Sequence, residues 1–336
     1  MTWRGPIVTT LKMGLVFGLM FWMVRTGKLD FTQLKVIRDH PEILLANVLL
    51  WGGGYLALCG FRWFLLLKGL GINMKYRRIC TLQLIGFFFN TAIPGAVGGD
   101  IIKALYVIRE QEGDRKTPAM LTILLDRIVG LSALFFMAAL SICSQLAFFI
   151  SRPELFVIAL FALGGSVAVL LGVAWVFLVK EDRDPIAWLL AYNFPGSRIV
   201  RGMYEALRTY RHHPRYLASA FGISVVVQCG ALFNARELTF ILTGVNPELA
   251  IFSTIFPLGV MTTALPLAPG GLGVGHVAFD KLFSLVGLSG GANVFNVMVL
   301  VQLALNLTGI VPYLLYRREG ALPDKIQDSI NVASPL

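Results

Sequence analysis

The chain has 336 residues, 56% of them hydrophobic and only 14% charged, with a mean hydropathy of +0.73 and a formal net charge of +10. Soluble domains carry about 25% charged residues, so this composition excludes a soluble globular protein and indicates an integral membrane protein. The positive excess needs no nucleic acid, because cations retained on the cytoplasmic side and attraction to anionic lipid account for it.

The first apolar run, residues 8–24, is accompanied by Arg4 and Lys12 and lacks a small-residue cleavage site. It reads as a retained anchor rather than a removed signal. Further runs follow at 43–67, 121–143, 155–179, 216–242 and 292–316, each within the roughly 17–25 residues that cross hydrocarbon as helix. None shows the alternation of a transmembrane barrel. The expected fold is an all-α polytopic bundle with six spanning helices. Cys59, Cys80, Cys143 and Cys229 fall in or beside apolar segments without paired spacing, so they read as packing residues rather than disulfides or a zinc site.

Lys and Arg give the orientation, because they resist translocation. With the N-terminus inside, cytoplasmic segments collect Lys68, Lys75, Arg77 and Arg78, then Lys103, Arg109, Arg115 and Lys116, a third group between Lys180 and Arg215, and finally Arg317, Arg318 and Lys325. Outside loops hold only Arg25, Lys28, Lys35, Arg38 and Arg152. Both ends of residues 79–111 therefore carry inside-type cations, and the apolar limb 79–93 would be about 22 Å long as helix, short of the roughly 30 Å core. A re-entrant hairpin is predicted there. By the same reasoning 251–288 forms a second hairpin from the opposite face, and the order helix, hairpin, helix recurs as an inverted repeat.

Each hairpin is interrupted by the pattern P-G-x-x-G, once at Pro94, Gly95 and Gly98 and again at Pro269, Gly270 and Gly273. Paired Pro/Gly interruptions mark the place where freed backbone groups line a cavity. The alternative is two independent small-residue packing sites. Between the halves, residues 185–213 place Ile199, Met203, Leu207 and Tyr210 opposite Arg198, Arg201, Arg208 and Arg211, as in an amphipathic helix on the cytoplasmic interface. The domain layout is a single transmembrane domain over 1–316 with a cytoplasmic tail at 317–336.

Ionisable residues inside a membrane are functional candidates by default. Asp100 and Lys103 stand at i, i+3 after Gly98 and Gly99, where exposed amides, the helix dipole and Lys103 suit a phosphate-like anion. Asp100 serves equally as a cap of that half-helix. Asp126 and Arg127, and Arg236 and Glu237, are adjacent pairs pointing about 100° apart, so each residue is expected to reach another element, either as a structural ion pair or, for Arg127 and Arg236, to grip a lipid phosphate. His276 and Asp280, at i, i+4 beyond Gly271 and Gly273, form either a proton-responsive pair or a neutral hydrogen-bonded histidine beside a carboxylate. Asn90, Gln302 and Asn306 add neutral donors, and Arg62 is expected to snorkel to the cytoplasmic interface. No hydrolase triad, P-loop, dinucleotide fingerprint or metal-ligand cluster is present, so no catalytic residue, metal or cofactor is expected.

Three ordered motifs, Asn90 to Asp100 with Lys103, Asp126-Arg127-Ile128-Val129-Gly130, and Pro266 to Val274, resemble the lysylphosphatidylglycerol synthase transmembrane (flippase-like) family. The likeness extends over nearly the whole chain. It implies a bacterial or archaeal cytoplasmic membrane and a role in lipid movement. Its best-understood members join this bundle to a cytosolic aminoacyl-transferase domain; others stand alone beside glycosyltransferase or hopanoid-lipid functions. No synthase domain is read in these residues, so lipid aminoacylation is not carried over. Family members often have arginine where Lys103 stands and an acidic residue where His276 stands, so headgroup preference and coupling are not carried over either.

The leading expectation is a lipid translocase acting on an anionic or zwitterionic headgroup. A membrane-embedded transferase acting on a polyprenyl-phosphate, glycolipid or hopanoid substrate through Asp100 or Asp126 remains open, as does an accessory partner of a lipid synthase or glycosyltransferase. Oligomerisation is open as well.

Overall fold

The computed structural model describes residue 25 and residues 38–92, 98–111, 115–180, 184–190, 192, 197–263 and 273–318. The expected span at 8–24 and the tail beyond 318 lie outside the described residues. Those described are helical and contain no strand. In chain order they are α1 (Pro41–Val48), a π-helical stretch (Leu49–Leu56), α2 (Ala57–Gly69), α3 (Tyr76–Ala92), α4 (Gly98–Glu110), α5 (Lys116–Ser144), α6 (Leu146–Ile150) and α7 (Pro153–Leu178). The second half continues with α8 (Pro185–Leu190), α9 (Ser197–Thr209), α10 (Pro214–Thr243), α11 (Leu249–Thr263), α12 (Val274–Leu285), α13 (Gly291–Leu307) and α14 (Ile310–Arg318).

Among the described residues five stretches are long and apolar enough to cross a membrane: Leu45–Gly69, Lys116–Ser144, Pro153–Leu178, Pro214–Thr243 and Gly291–Leu315. Proline opens α1, α7 and α10 in the first helical turn, where its missing N–H is no loss and its φ already suits the helix. α7 turns Val157, Leu160, Leu170 and Leu171 outward, each more than 60% exposed, as a helix facing acyl chains does.

α3 and α4 form an antiparallel hairpin. Asn90 meets Gly99, Gln83 meets Lys103 and Arg78 meets Glu110, so one index falls as the other rises. Their 17 and 13 residues correspond to about 25 and 20 Å of helix. α11 and α12 pair in the same sense, with Gly259 against Phe279 and Phe252 against Phe283. Each hairpin packs on the helices flanking it in sequence, α2 and α5 for the first, α10 and α13 for the second. The halves also exchange contacts reciprocally. α5 packs on α11, α13 packs on α3, and α2 packs on α10.

The cores differ in chemistry. Trp63, Leu67, Ile79, Leu82, Ile85 and Tyr106 fill the first half, whereas Phe252, Phe256, Phe279, Phe283 and Phe295 pack ring on ring, some stacked and some edge-to-face, through the second. Between the halves, hydroxyls and amides satisfy one another inside apolar surroundings: Ser141 accepts from Ser253 and Thr254, and Asn47 and Asn234 exchange two hydrogen bonds of 3.0 and 3.3 Å.

The amphipathic segment departs from expectation. It divides into α8 and α9, and Arg208 is not on a solvated face. Its side chain is buried against Asp184, 3.1 Å away, and it and Arg211 donate to the Val179 carbonyl left open at the end of α7. Asp184 also accepts from Tyr204 and from the amides of Ile186 and Ala187. Tyr210 is fully buried, donates to the Leu66 carbonyl and lies so close to Gly69 that a Cβ there would collide with its ring. Together these contacts clasp α9 to the bundle.

Burial pushes the Asp184 carboxyl up, but its hydrogen bonds to Tyr204, Ala187 and Ile186 outweigh that effect and hold it below its ordinary value of 3.8. Its contribution to stability is therefore complete above that value and disappears as pH falls through the depressed one. Asp184→Ala is expected to destabilise the protein by about 3 kcal/mol, as when one partner of a buried pair is removed, and to expose residues 197–209 to trypsin. Thermal unfolding and limited proteolysis at neutral pH read both effects.

Candidate functional site

α4 starts at Gly98 immediately beyond the first proline-glycine break. The Gly99 amide donates to Asn90 Oδ1 at 2.8 Å, and Gly99 approaches the Gly86 carbonyl so closely that no side chain fits. Asn90 thus acts as an external cap, reaching across the hairpin to an amide the helix itself cannot satisfy. Asp100 follows in the first turn, where the helix dipole favours a carboxylate.

Asp100 holds two cations. Lys103 Nζ lies 2.9 Å from Oδ1, and Arg127 Nε from α5 pairs with Oδ2. Lys103 is buried along Gly86, reaches Gln83 Oε1 at 3.3 Å and passes 5.4 Å from the Trp63 ring centroid. The cation–π contact and the carboxylate together replace lost water.

The neighbouring carboxylate, Asp126, faces α2. Arg62 grips it with Nε–Oδ1 at 2.6 Å and Nη2–Oδ2 at 2.8 Å, and its Nη1 donates to Ser224 of α10 at 3.0 Å. This corrects the expectation that Arg62 snorkels. A deep carboxylate offers a planar guanidinium two parallel bonds, and the buried pair ties three helices. Trp63, next to Arg62, donates to Thr122 on α5.

Within this network Arg62, Lys103 and Arg127 face Asp100 and Asp126, three cations against two carboxylates. The side chains of Arg62 and Lys103 are 9% and 8% exposed, whereas that of Arg127 is 34% exposed. The cluster is therefore positive by one charge, and Arg127 is its accessible member. Such a group can receive an anion without first uncovering a buried cation.

The second half contributes differently. Arg236 donates to the Pro247 carbonyl at 2.9 Å, and Glu237 is exposed. Arg236 lies twelve residues along α10 from Ser224, about 18 Å by helical rise, so it does not join the cluster of Arg62 and Arg127. His276 does not pair with Asp280, which is exposed. Its Nδ1 accepts from the Gly273 amide and its Nε2 faces Asn296 Oδ1, both at 3.3 Å. A ring nitrogen that accepts a backbone N–H carries no proton, so this is the neutral tautomer with hydrogen on Nε2. The Asp280 carboxylate expected to bias the ring is thus replaced by the neutral amide of Asn296. Asn306 donates to Thr91 at 3.1 Å and joins α13 to the first hairpin, while Gln302 is exposed. Pro94, Gly95, Pro269, Gly270 and Gly271 lie outside the described residues.

Sequence reasoning missed Arg62, Ser224, Gln83 and Trp63 as parts of the charged network. A lone arginine inside an apolar run was a signal for Arg62. Ser224, Gln83 and Trp63 carry no such mark, because hydroxyls, amides and aromatics are common in membrane helices.

Arg62→Met alone is expected to cost about 3–5 kcal/mol, since it strands Asp126. The double variant Arg62→Met/Asp126→Leu is expected to recover most of that loss. Thermal unfolding of the purified protein in detergent measures the cycle, and a double variant worse than both singles would contradict the pairing.

Residues 9–312 match the pattern of the family described as the lysylphosphatidylglycerol synthase TM region. Two relatives from Methanothermobacter thermautotrophicus, each named UPF0104 membrane protein, are 25% and 24% identical to this chain over 303 residues. The alignments cover 85% of this chain in both cases, and 87% and 85% of the relatives. With a family match extending over most of its length, the chain belongs to the lysylphosphatidylglycerol synthase TM region family.

Proposed function

We propose that this membrane protein is a lipid translocase that carries a phospholipid or glycolipid headgroup between leaflets. The observation that carries the reading is the net positive cluster at the start of α4, with Arg127 accessible and Arg62 and Lys103 buried behind it. A charged headgroup crosses hydrocarbon at high cost unless fixed donors replace its hydration. The amides that open a half-helix, an arginine fork and a buried ammonium are suited to phosphate oxygens.

The topology assigned to this role has six spanning helices and two re-entrant hairpins dipping from opposite faces, with both termini cytoplasmic and a single transmembrane domain over 1–316. Support comes from the short antiparallel limbs of α3–α4 and α11–α12 and from the reciprocal packing of each hairpin on the other half. Inverted repeats of this kind meet near mid-membrane, where two gates can open alternately. Acyl chains stay in lipid while the headgroup moves along the polar path. The family's connection with a lipid synthase agrees with a lipid cargo, and the archaeal relatives agree with a cytoplasmic membrane.

Purified protein reconstituted into liposomes is expected to accelerate loss of inner-leaflet protection of a headgroup-labelled phospholipid, read by quenching from outside. Arg127→Gln is expected to lower the initial rate at least about tenfold, the scale of one charge-assisted hydrogen bond. Arg236→Gln is expected to stay near the wild-type rate. Acceleration absent with every native lipid fraction, or unchanged in Arg127→Gln, would sink the proposal.

A further inference from the structure

A polar pocket of about 440 Å³ lies at the end of the first hairpin away from Asp100, lined by Asn73, Lys75, Arg77, Arg78, Glu110 and Gln111 among others. Glu110 is ten residues beyond Asp100 on α4, about 15 Å by helical rise, so this pocket is separate from the Arg127 cluster. Arg78 pairs with Glu110 and lies 5.8 Å from the Tyr106 ring centroid. Lys75 and Arg77 are exposed and form no ion pair among the described residues.

The beginning of α3 is electrostatically opposed to its own dipole. Lys75, Arg77 and Arg78 crowd it and no acidic residue stands in its first turn, although a helix N-terminus favours negative charge. The amides of Arg78 and Ile79 bond to the Lys75 carbonyl, whereas those of Tyr76 and Arg77 have no acceptor among the described residues. Retention of cations on one side of a membrane explains positive charge at this end. It does not explain Gln111. Gln111 is more than nine-tenths buried, lines the pocket and has no hydrogen-bond partner among the described residues, so its carboxamide is left to meet whatever fills the pocket.

The geometry points to a binding site for a phosphate ester that carries a hydroxyl or amine substituent. The phosphate oxygens take the Tyr76 and Arg77 amides and the Lys75 and Arg77 cations, and the Gln111 carboxamide, donor and acceptor at once, takes the substituent. Next to these cations in the chain, Tyr76 clusters with Phe61 and Phe64, with Lys68 above Phe64, in the manner of aromatic side chains at a membrane surface. The ester can therefore be a lipid headgroup or a water-soluble phosphate. The inference stands apart from translocation, because binding is measured without transport.

The test uses the full chain in uncharged detergent with Arg127→Gln as background, which removes the headgroup contact proposed for the first site. Dioctanoyl phosphatidylglycerol and glycerol 1-phosphate are titrated by calorimetry, with dioctanoylglycerol as the phosphate-free control. At least one phosphate probe is expected to bind, more weakly as salt rises, and the control is not. Lys75→Gln/Arg77→Gln, at exposed positions, is expected to lower affinity at least about tenfold. Gln111→Leu is expected to lower it severalfold at an unchanged melting temperature. Competition by glycerol 1-phosphate identifies the phosphate ester alone as sufficient; binding of the lipid without such competition identifies a membrane headgroup. No binding of either phosphate probe, or binding unaltered in both variants, overturns the inference. Failure of the liposome assay with this binding intact would remove only the translocation reading.

Discussion

The ion pair between Arg62 and Asp126 is the constraint on which the first half of the structure depends. Both side chains lie within apolar stretches long enough to cross a membrane, where an unpaired charge is expensive. Their bidentate contact, with Ser224 on the third guanidinium nitrogen, fixes α2, α5 and α10 in depth and rotation together. Adjacent residues on a helix point about 100° apart. With Asp126 held toward α2, Arg127 is turned toward α4 and meets Asp100.

The position of α4 follows from a different kind of restraint. Gly99 packs under the Gly86 carbonyl and donates to Asn90, so the second limb of the hairpin can begin only at this depth. Asp100 is thereby delivered to Arg127, and Lys103 to Asp100, Gln83 and the face of Trp63. Packing places the carboxylate, and the carboxylate in turn organises two cations. Arg127 is the most exposed of the three cations, while Arg62 and Lys103 are paired in the interior.

The two hairpins share a plan but not a chemistry. The first joins its limbs with ions and amides; the second joins them with edge-to-face phenylalanines, Phe252 with Phe283 and Phe256 with Phe279, while a neutral His276 ties α12 to Asn296 of α13. Reciprocal packing of α5 on α11 and of α13 on α3 means that neither hairpin can shift without disturbing the other half. In the translocation proposed above, such mutual dependence would couple the movement of the two hairpins.

Apolar length was legible from the sequence because hydrocarbon thickness sets a minimum run of residues, and the described spans Lys116–Ser144, Pro153–Leu178, Pro214–Thr243 and Gly291–Leu315 lie where the apolar runs do. The helical limbs on either side of the two breaks were legible too, since proline and glycine interrupt a helix locally. That Asp126 and Arg127 must reach different elements followed from helical rotation alone. The partners did not. Arg62 lies 64 residues from Asp126 and 162 from Ser224, and no local rule distinguishes an arginine that snorkels from one that finds a buried carboxylate. The same holds for Arg208, whose place in the amphipathic pattern gave no hint that the end of α7 would present an open carbonyl and Asp184. By itself the sequence determined that this chain lives in a membrane as interrupted apolar helices, because composition and backbone breaks act over a few residues. Only the tertiary structure decided which charges neutralise one another and which stays accessible, because burial and pairing depend on how helices far apart in the chain come together.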